Sequence, residues 1–408
     1  MRRVVITGMA GISAIGQDWE TVSKRLKSMK NAILYMENWD IYQGLNTRLG
    51  GPVLDFELPE HYTRKVRRTM SRVSQFATRS SELAVIDADL LDDPVLKSGR
   101  AGVSFGSSTG GTDSIRDMAS MDFLSSTEMV KANTYIQMMP HTTTFNVGAF
   151  LGMTGRLLPS SSACTSSSLA IGLGYESIKF GMQDIMICGG AEELCPTEAA
   201  VFDTLYATST MNETPELTPS PYDKSRDGLV TGEGGCAFVL EEFERAKNRG
   251  AHIYAELLGF GNNSDGKHAM RPEVSTMGVA MQLALDDAGI DSDAIGYVSA
   301  HGTATDTGDI AESEATLHIF GRAVPISSLK SYIGHTLGAC GALEAWMSIH
   351  MMNEGWFAPT INLNTVDEAC AGLDYICGEC RAINTDYIMS NNFAFGGVNT
   401  SLIFKRWT

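Results

Sequence analysis

Ser161-Ser162-Ala163-Cys164-Thr165-Ser166-Ser167-Ser168 sets one cysteine in a run of small hydroxyl residues at the head of an apolar segment. From about Thr165 to Phe180 small residues mix with Leu169, Ile171, Leu173 and Ile178, which predicts a helix starting beside the thiol. Only a thiolate attacks. A helix N-terminus favours it through unpaired N–H groups and a partial positive charge, so the setting predicts a lowered thiol pKa. Far downstream stand His301-Gly302-Thr303 and Gly334-His335-Thr336, each closely behind a short apolar segment. The flanking glycines let a backbone or ligand come close. One thiol with two imidazoles points to carbon–carbon bond formation on thioesters.

Working outward, short β-branched or apolar runs recur at Arg3–Gly8, Ala101–Gly106, Asp184–Gly190, Gly234–Glu241, Ile295–Ala300, Tyr387–Asn391 and Thr400–Phe404. Helical patterns lie between several of them, the alternation of an α/β sheet covered by helices. Gly338–Asn353 is apolar on nearly every side and predicts a central helix, whereas Thr276–Ala288 and Ile310–Ile319 read as amphipathic and peripheral. Polar, glycine-broken Arg245–His252 is the candidate linker, dividing the chain into 1–248 and 249–408. The halves echo each other loosely: Val4–Thr7, Val103–Gly106 and Met186–Gly190 against Tyr297–His301, Pro325–Ser328 and Ile388–Asn392.

The 408 residues are 43% hydrophobic, enough for one layered body or two fused domains with full cores. With 31 basic and 48 acidic residues the net charge is −17, which argues against a nucleic-acid or anionic-membrane surface. No run of about 18 apolar residues predicts membrane insertion, and Met1-Arg2-Arg3 leads into an apolar stretch too short for a signal-peptide core. Eight cysteines scattered along such a chain predict a reduced, cytoplasmic protein. Cys377-Gly378-Glu379-Cys380 has metal-like spacing, but no matching pair completes four ligands, so no metal site is expected.

Other motifs carry less. Gly8 to Gly16 follows a strand but lacks dinucleotide spacing, and reads as a tight structural turn. Gly106 to Gly111 lacks the lysine of a phosphate loop. The remaining histidines stand in ordinary polar or helical contexts. Lys330 precedes His335 by five residues, and Asp309 and Glu312 follow His301 at a helix head. These charges form either an internal ionic network near the histidines or a solvated surface cluster.

Ser162-Ala163-Cys164-Thr165-Ser166, His301-Gly302-Thr303-Ala304-Thr305, Lys330-x4-His335-x2-Gly338-Ala339-x-Gly341 and Asn392-Phe393-Ala394-Phe395-Gly396-Gly397-Val398-Asn399 resemble, in order, the signatures of β-ketoacyl-[acyl-carrier-protein] synthases I and II. The likeness covers nearly the whole chain, including Arg226-Asp227-Gly228 and Gly232-Glu233-Gly234. Ala191–Pro196 and Ser327–Pro359 look most similar to the ketosynthases of bacterial aryl polyene clusters. The resemblance implies a thiolase-like fold, two similar mixed-sheet halves in a five-layered α-β-α-β-α body, with a cap inserted at about 112–140, and an obligate dimer.

It also implies roles. Cys164 would take an acyl chain from acyl carrier protein, with the N–H groups of Cys164 and Phe395 as oxyanion hole. His301 and His335, as neutral donors, would stabilise the enolate formed as malonyl-carrier protein loses CO2. Lys330 would fix His335 and pair with Asp309 or Glu312. Thr303 and Thr305 would bond the pantetheine amides, Phe395 would gate the acyl chain, and Thr109 would sit at the floor of its pocket. Ala304 and Ala394 replace the usual serine and glycine. Met118, Met121, Met129, Met138 and Met139 either line a tunnel or fill core. No cofactor is expected beyond the phosphopantetheine on the carrier protein.

Carrier proteins of this family are acidic, and Arg64, Lys65, Arg67, Arg68 and Arg72 place five positive charges in nine residues as a docking patch against a solvated basic face. Two rivals remain. A coenzyme A-dependent thiolase-like enzyme would need a second cysteine, or asparagine for one histidine, and a non-catalytic chain-length factor would lack the nucleophile. The chain then acts as a homodimer or as the catalytic partner of such a factor. Fatty-acid, polyenoyl and aryl substrates stay open.

Overall fold

The computed structural model describes residues 1–268 and 270–408. Its main sheet has 11 strands. In chain order they are β1 (Val4–Ser13), β2 (Ala101–Gly106), β3 (Leu157–Ser160), β4 (Ile185–Glu192), β5 (Gly234–Glu242), β6 (Ala255–Ser264), β7 (Tyr297–Ser299), β8 (Pro325–Ser327), β9 (Asp374–Tyr375), β10 (Tyr387–Ala394) and β11 (Val398–Arg406). The spatial order is β9-β8-β7-β10-β11-β6-β1-β5-β4-β2-β3.

The order is nearly symmetrical about the β1–β6 seam. Outward from β1 the pairings run antiparallel to β5, antiparallel to β4, then parallel to β2 and β3. Outward from β6 they run antiparallel to β11, antiparallel to β10, then parallel to β7 and β8. Val103–Gly106 therefore matches Tyr297–Ser299, not Pro325–Ser328, and Val4–Thr7 matches the start of β6. Of the strand correspondences expected from sequence only Met186–Gly190 with Ile388–Asn392 stands.

Helices α1 (Arg72–Asp87), α2 (Thr112–Leu124), α3 (Thr142–Leu151), α4 (Ser166–Lys179), α5 (Pro196–Asp203), α6 (Val274–Ala288), α7 (Asp306–Phe320) and α8 (Cys340–Glu354) complete the layers. α4 and α8 touch each other and both halves of the sheet, while α1 with α3 and α6 with α7 cover the outer faces. The result is an α-β-α-β-α stack, and α8 is buried along nearly its whole length, as its all-round apolar sequence requires.

Close packing repeats across the seam. A Cβ on Gly8 would meet Ala84 O at 2.2 Å and Ala88 Cβ at 2.8 Å, and one on Gly259 would meet Ala284 O at 2.3 Å and Ala288 Cβ at 2.8 Å. Gly8 and Gly11 thus lie inside β1, and the turn is confined to Ser13–Gly16; the expected tight turn over Gly8–Gly16 is corrected. The linker candidate is also more ordered than expected. Its first residues end a helix, Phe243–Asn248, and Arg249 holds the buried Glu241 carboxylate at 2.8 Å. Among the described residues no helix is long and apolar enough to cross a membrane.

Candidate active site

Cys164 sits between β3 and α4, and His335 in the equivalent connection between β8 and α8. Ala163 holds φ at 50°, a left-handed turn that costs a non-glycine residue about 1–2 kcal/mol and projects the next side chain inward. His335 is fixed by its backbone: its N–H donates to Val230 O at 2.7 Å and its C=O accepts from Gly232 N–H at 2.9 Å. The sulfur of Cys164 lies 3.0 Å from His335 Nε2. Leu337 N–H donates to His335 Nδ1 at 3.2 Å, which places the ring proton on Nε2, facing the sulfur.

His301 completes the triangle, its ring centroid 5.2 Å from that of His335 and nearly perpendicular at 86°. Its Nδ1 faces two donors, Lys330 Nζ at 3.3 Å and Asn392 Nδ2 at 3.4 Å, so its proton also belongs on Nε2. Burial first, then the Lys330 ammonium, holds both histidines well below the usual imidazole range. Both are neutral N–H donors at pH 7. The three side chains enclose a space a metal ion could reach, with donor atoms within 4.8 Å of one another. Protonated Nε2 atoms beside an ammonium do not suit a cation.

Burial pushes the Cys164 thiol up to about 11, opposed by Lys330 and by the N–H groups of Phe395 and Cys164. The lowered pKa expected from the helix start is therefore corrected: desolvation outweighs the helix end, because α4 begins two residues beyond the thiol and only 6% of Cys164 is exposed.

Lys330 also differs from expectation. Its ammonium pairs with Glu344 and stands beside His301; it does not pair with Asp309 or Glu312, nor does it touch His335. Glu344 in turn accepts from Asn392 at 2.8 Å, closing a buried ring of Lys330, Glu344, Asn392 and His301. Asp309 and Glu312 shape the His301 loop instead. Glu312 accepts the N–H groups of His301 and Gly302, both at 2.7 Å, and Asp309 those of Thr303 at 2.9 Å and Ala304 at 3.1 Å. Burial raises Asp309 to about 7 against the pull of Arg226, 3.6 Å away.

A cavity of about 80 Å³ leads to these groups, lined by Cys164, His301, His335, Thr303, Thr305 and Phe395 among others. The Thr303 and Thr305 hydroxyls are 2.9 Å apart on one wall. Phe395 is 37% exposed on the three-residue turn joining β10 to β11, with Gly396 and Gly397 at φ 89° and 71°, and its ring is 5.5 Å from that of Phe202. Thr109 does not line this cavity; its N–H contacts Glu192 at 3.4 Å. The cap methionines are half-buried or exposed in the single chain, and none of them lines this cavity.

Arg64, Lys65, Arg67 and Arg68 are exposed on and beside the single turn Arg64–Arg67. Arg72 is not free to join them: its guanidinium grips the buried Glu233 at 2.6 and 2.8 Å, so the patch has four available charges in place of five.

Sequence reasoning missed Glu344, Asn392 and Glu192. Glu344 had a signal, since a lone carboxylate in an otherwise apolar helix needs a partner. Asn392 lies inside a quoted motif but reads as a strand residue until the register of β10 turns it toward His301.

Residues 1–246 match the beta-ketoacyl synthase N-terminal domain and residues 254–364 the C-terminal domain. The chain is 38% identical over 414 residues to 3-oxoacyl-[acyl-carrier-protein] synthase 1 of Haemophilus influenzae, covering 100% of both. A beta-ketoacyl synthase from Burkholderia phymatum superposes with a TM-score of 0.99 at 57% identity over 100% of both chains. A chain of the ketosynthase solved in complex with its chain length factor from Xenorhabdus doucetiae gives 0.83 at 27% identity, over 100% of this chain and 98% of that one. With that thiol, two neutral imidazoles and the duplicated fold that holds them, the chain belongs to the β-ketoacyl synthase family of condensing acyltransferases.

Proposed function

We propose that this chain transfers an acyl group from acyl carrier protein to Cys164 and condenses it with malonyl-acyl carrier protein, releasing CO2 and a β-ketoacyl-carrier protein. The observation that carries this reading is His335 Nε2–H at 3.0 Å from the Cys164 sulfur with Nδ1 occupied by Leu337 N–H. Such an imidazole donates; it does not take a proton.

Proton balance follows. Cys164 attacks the thioester carbon, and its proton ends on the departing pantetheine thiol. His335 and the N–H groups at the sulfur steady the charge that develops there. When the malonyl carboxylate leaves as CO2, the electron pair of the broken C–C bond moves into an enolate whose oxygen accepts from Nε2–H of His301 and His335. The enolate carbon attacks the acyl-Cys164 carbonyl, the oxyanion is held by the Cys164 and Phe395 N–H groups, and collapse expels the Cys164 thiolate, which regains a proton from water. The negative charge of the malonyl carboxylate passes to that thiolate, so the sequence closes with no metal or diffusible cofactor.

Thr303 and Thr305, on the cavity wall, suit the pantetheine amides, and Arg64, Lys65, Arg67 and Arg68 suit the acidic carrier. A second copy or a chain-length-factor relative would cover the exposed apolar cap, where Phe123 is 87% and Tyr135 62% exposed, and the open edge at β3. The test is mass spectrometry of carrier-bound products from a panel of saturated, polyenoyl and aryl primers with malonyl-carrier protein. A β-keto product two carbons longer supports the reading; turnover of acyl-coenzyme A as good as that of acyl-carrier protein contradicts it.

A further inference from the structure

One buried carboxyl has no part in this chemistry. Glu198 lies on α5 four residues before Phe202, so the two side chains share a helix face about one turn apart. Phe202 lines the cavity and packs on the Phe395 gate. Glu198 is not on the wall of this cavity, but an acyl chain on Cys164 that displaced Phe395 and ran past Phe202 along that helix face would approach it. Glu198 is 6% exposed, and neither of its oxygens makes a hydrogen bond among the described residues.

Its neighbour Glu192 is the opposite case. Glu192 accepts from Ser107 Oγ at 2.8 Å, Ser108 N–H at 2.7 Å and Gly338 N–H at 3.0 Å. Of two adjacent buried carboxyls, the one ringed by donors keeps the charge and the other keeps the proton. Burial, and then the charge of Glu192, pushes Glu198 well above the ordinary carboxyl range, although the Thr109 hydroxyl, near it but outside hydrogen-bonding geometry, works the other way. A protonated carboxyl both donates and accepts one hydrogen bond, which matches a hydroxyl group. A saturated hydrocarbon gives it nothing to bond.

We propose that Glu198 is a specificity-determining residue that receives a hydroxyl, alcoholic or phenolic, on the distal part of the acyl chain carried by Cys164. This rests on the reading that Cys164 is acylated. The experiment follows acylation of the full-length protein by intact mass, using carrier proteins loaded with terminally hydroxylated acyl chains and with unsubstituted chains of equal length, over a series of lengths. Wild type is expected to prefer the hydroxylated chain at one length. Glu198→Met should lower that preference by about tenfold or more without slowing the unsubstituted chain, and Glu198→Gln, which still donates and accepts, should keep most of it.

A wild type without preference at any length overturns the proposal, whether or not the variants fold. So does an unchanged ratio in Glu198→Met, or an equal loss of both substrates while iodoacetamide still labels Cys164, which marks a structural role only. Failure of every acyl chain to load wild type would instead overturn the reading of Cys164.

Discussion

Lys330 Nζ lies 3.3 Å from Nδ1 of His301 while its charge is balanced by Glu344. The lysine thus acts on the histidine across the cavity from Cys164, and its effect is electrostatic. The active form of His301 is neutral, so the condensation rate falls as pH drops through the His301 pKa, which burial and then the Lys330 cation hold well below the usual range. In Lys330→Met the cation is gone, the His301 pKa rises, and the acid limb of the pH–rate profile moves to higher pH. An unmoved limb would show that Lys330 serves only to hold structure.

Glu344→Gln removes one partner of a buried ion pair and leaves the Lys330 ammonium uncompensated. Unfolding in urea should show a loss of about 3–5 kcal/mol. Replacing Lys330 and Glu344 together by Met and Leu should recover much of that stability while leaving the acid limb of condensation at its shifted, higher pH, because the apolar pair packs but puts no cation beside His301 Nδ1. Equal stability losses in single and double variants would contradict the account.

Arg67 and Arg68 against Arg72 separate docking from architecture. Reversing Arg67 and Arg68 to Glu should raise the carrier-protein KM, most at low salt, with kcat and Cys164 labelling unchanged. Arg72→Glu should instead destabilise the fold by about 1–3 kcal/mol, since it leaves buried Glu233 facing a second negative charge at a site where Arg72 itself is partly screened by solvent. KM unchanged in the first variant, or intact stability in the second, would reverse these assignments.

Gly8→Ala and Gly259→Ala test the repeated packing. Each added methyl would press on a helix carbonyl, at 2.2 Å and 2.3 Å. Each should lower stability by about 1–3 kcal/mol or more, read as a lower urea midpoint at constant slope. A midpoint equal to wild type in either variant would show that the helix can retreat.

How far the sequence reaches is visible in particular residues. Cys164, His301 and His335 were legible because small residues and glycines mark where backbone must bend tightly around a reactive side chain. β6 was not legible: Ala255–Ser264 reads Ala-Glu-Leu-Leu-Gly-Phe-Gly-Asn-Asn-Ser, poor in β-branched residues, yet its glycines let α6 press onto the sheet. Missing β6 misaligned the two halves, because the seam strand of the second half had no candidate. The partner of Lys330 was misplaced for a related reason. Asp309 and Glu312 are nearer His301 in sequence, but their carboxylates already accept backbone N–H groups, and Glu344 comes from a central helix whose position depends on the whole stack. The thiol pKa was misjudged because local sequence shows the helix start and not the burial that outweighs it.

The most direct measurement is intact mass with peptide mapping after mixing the protein with acyl-carrier protein, then with malonyl-carrier protein. The account predicts one acyl group on Cys164 in wild type, none in Cys164→Ala, and an acyl group that stays on Cys164 in His301→Ala, where loss of an enolate donor slows CO2 release by about 10²–10³-fold. An acyl group on any other residue, or condensation by Cys164→Ala, would contradict it.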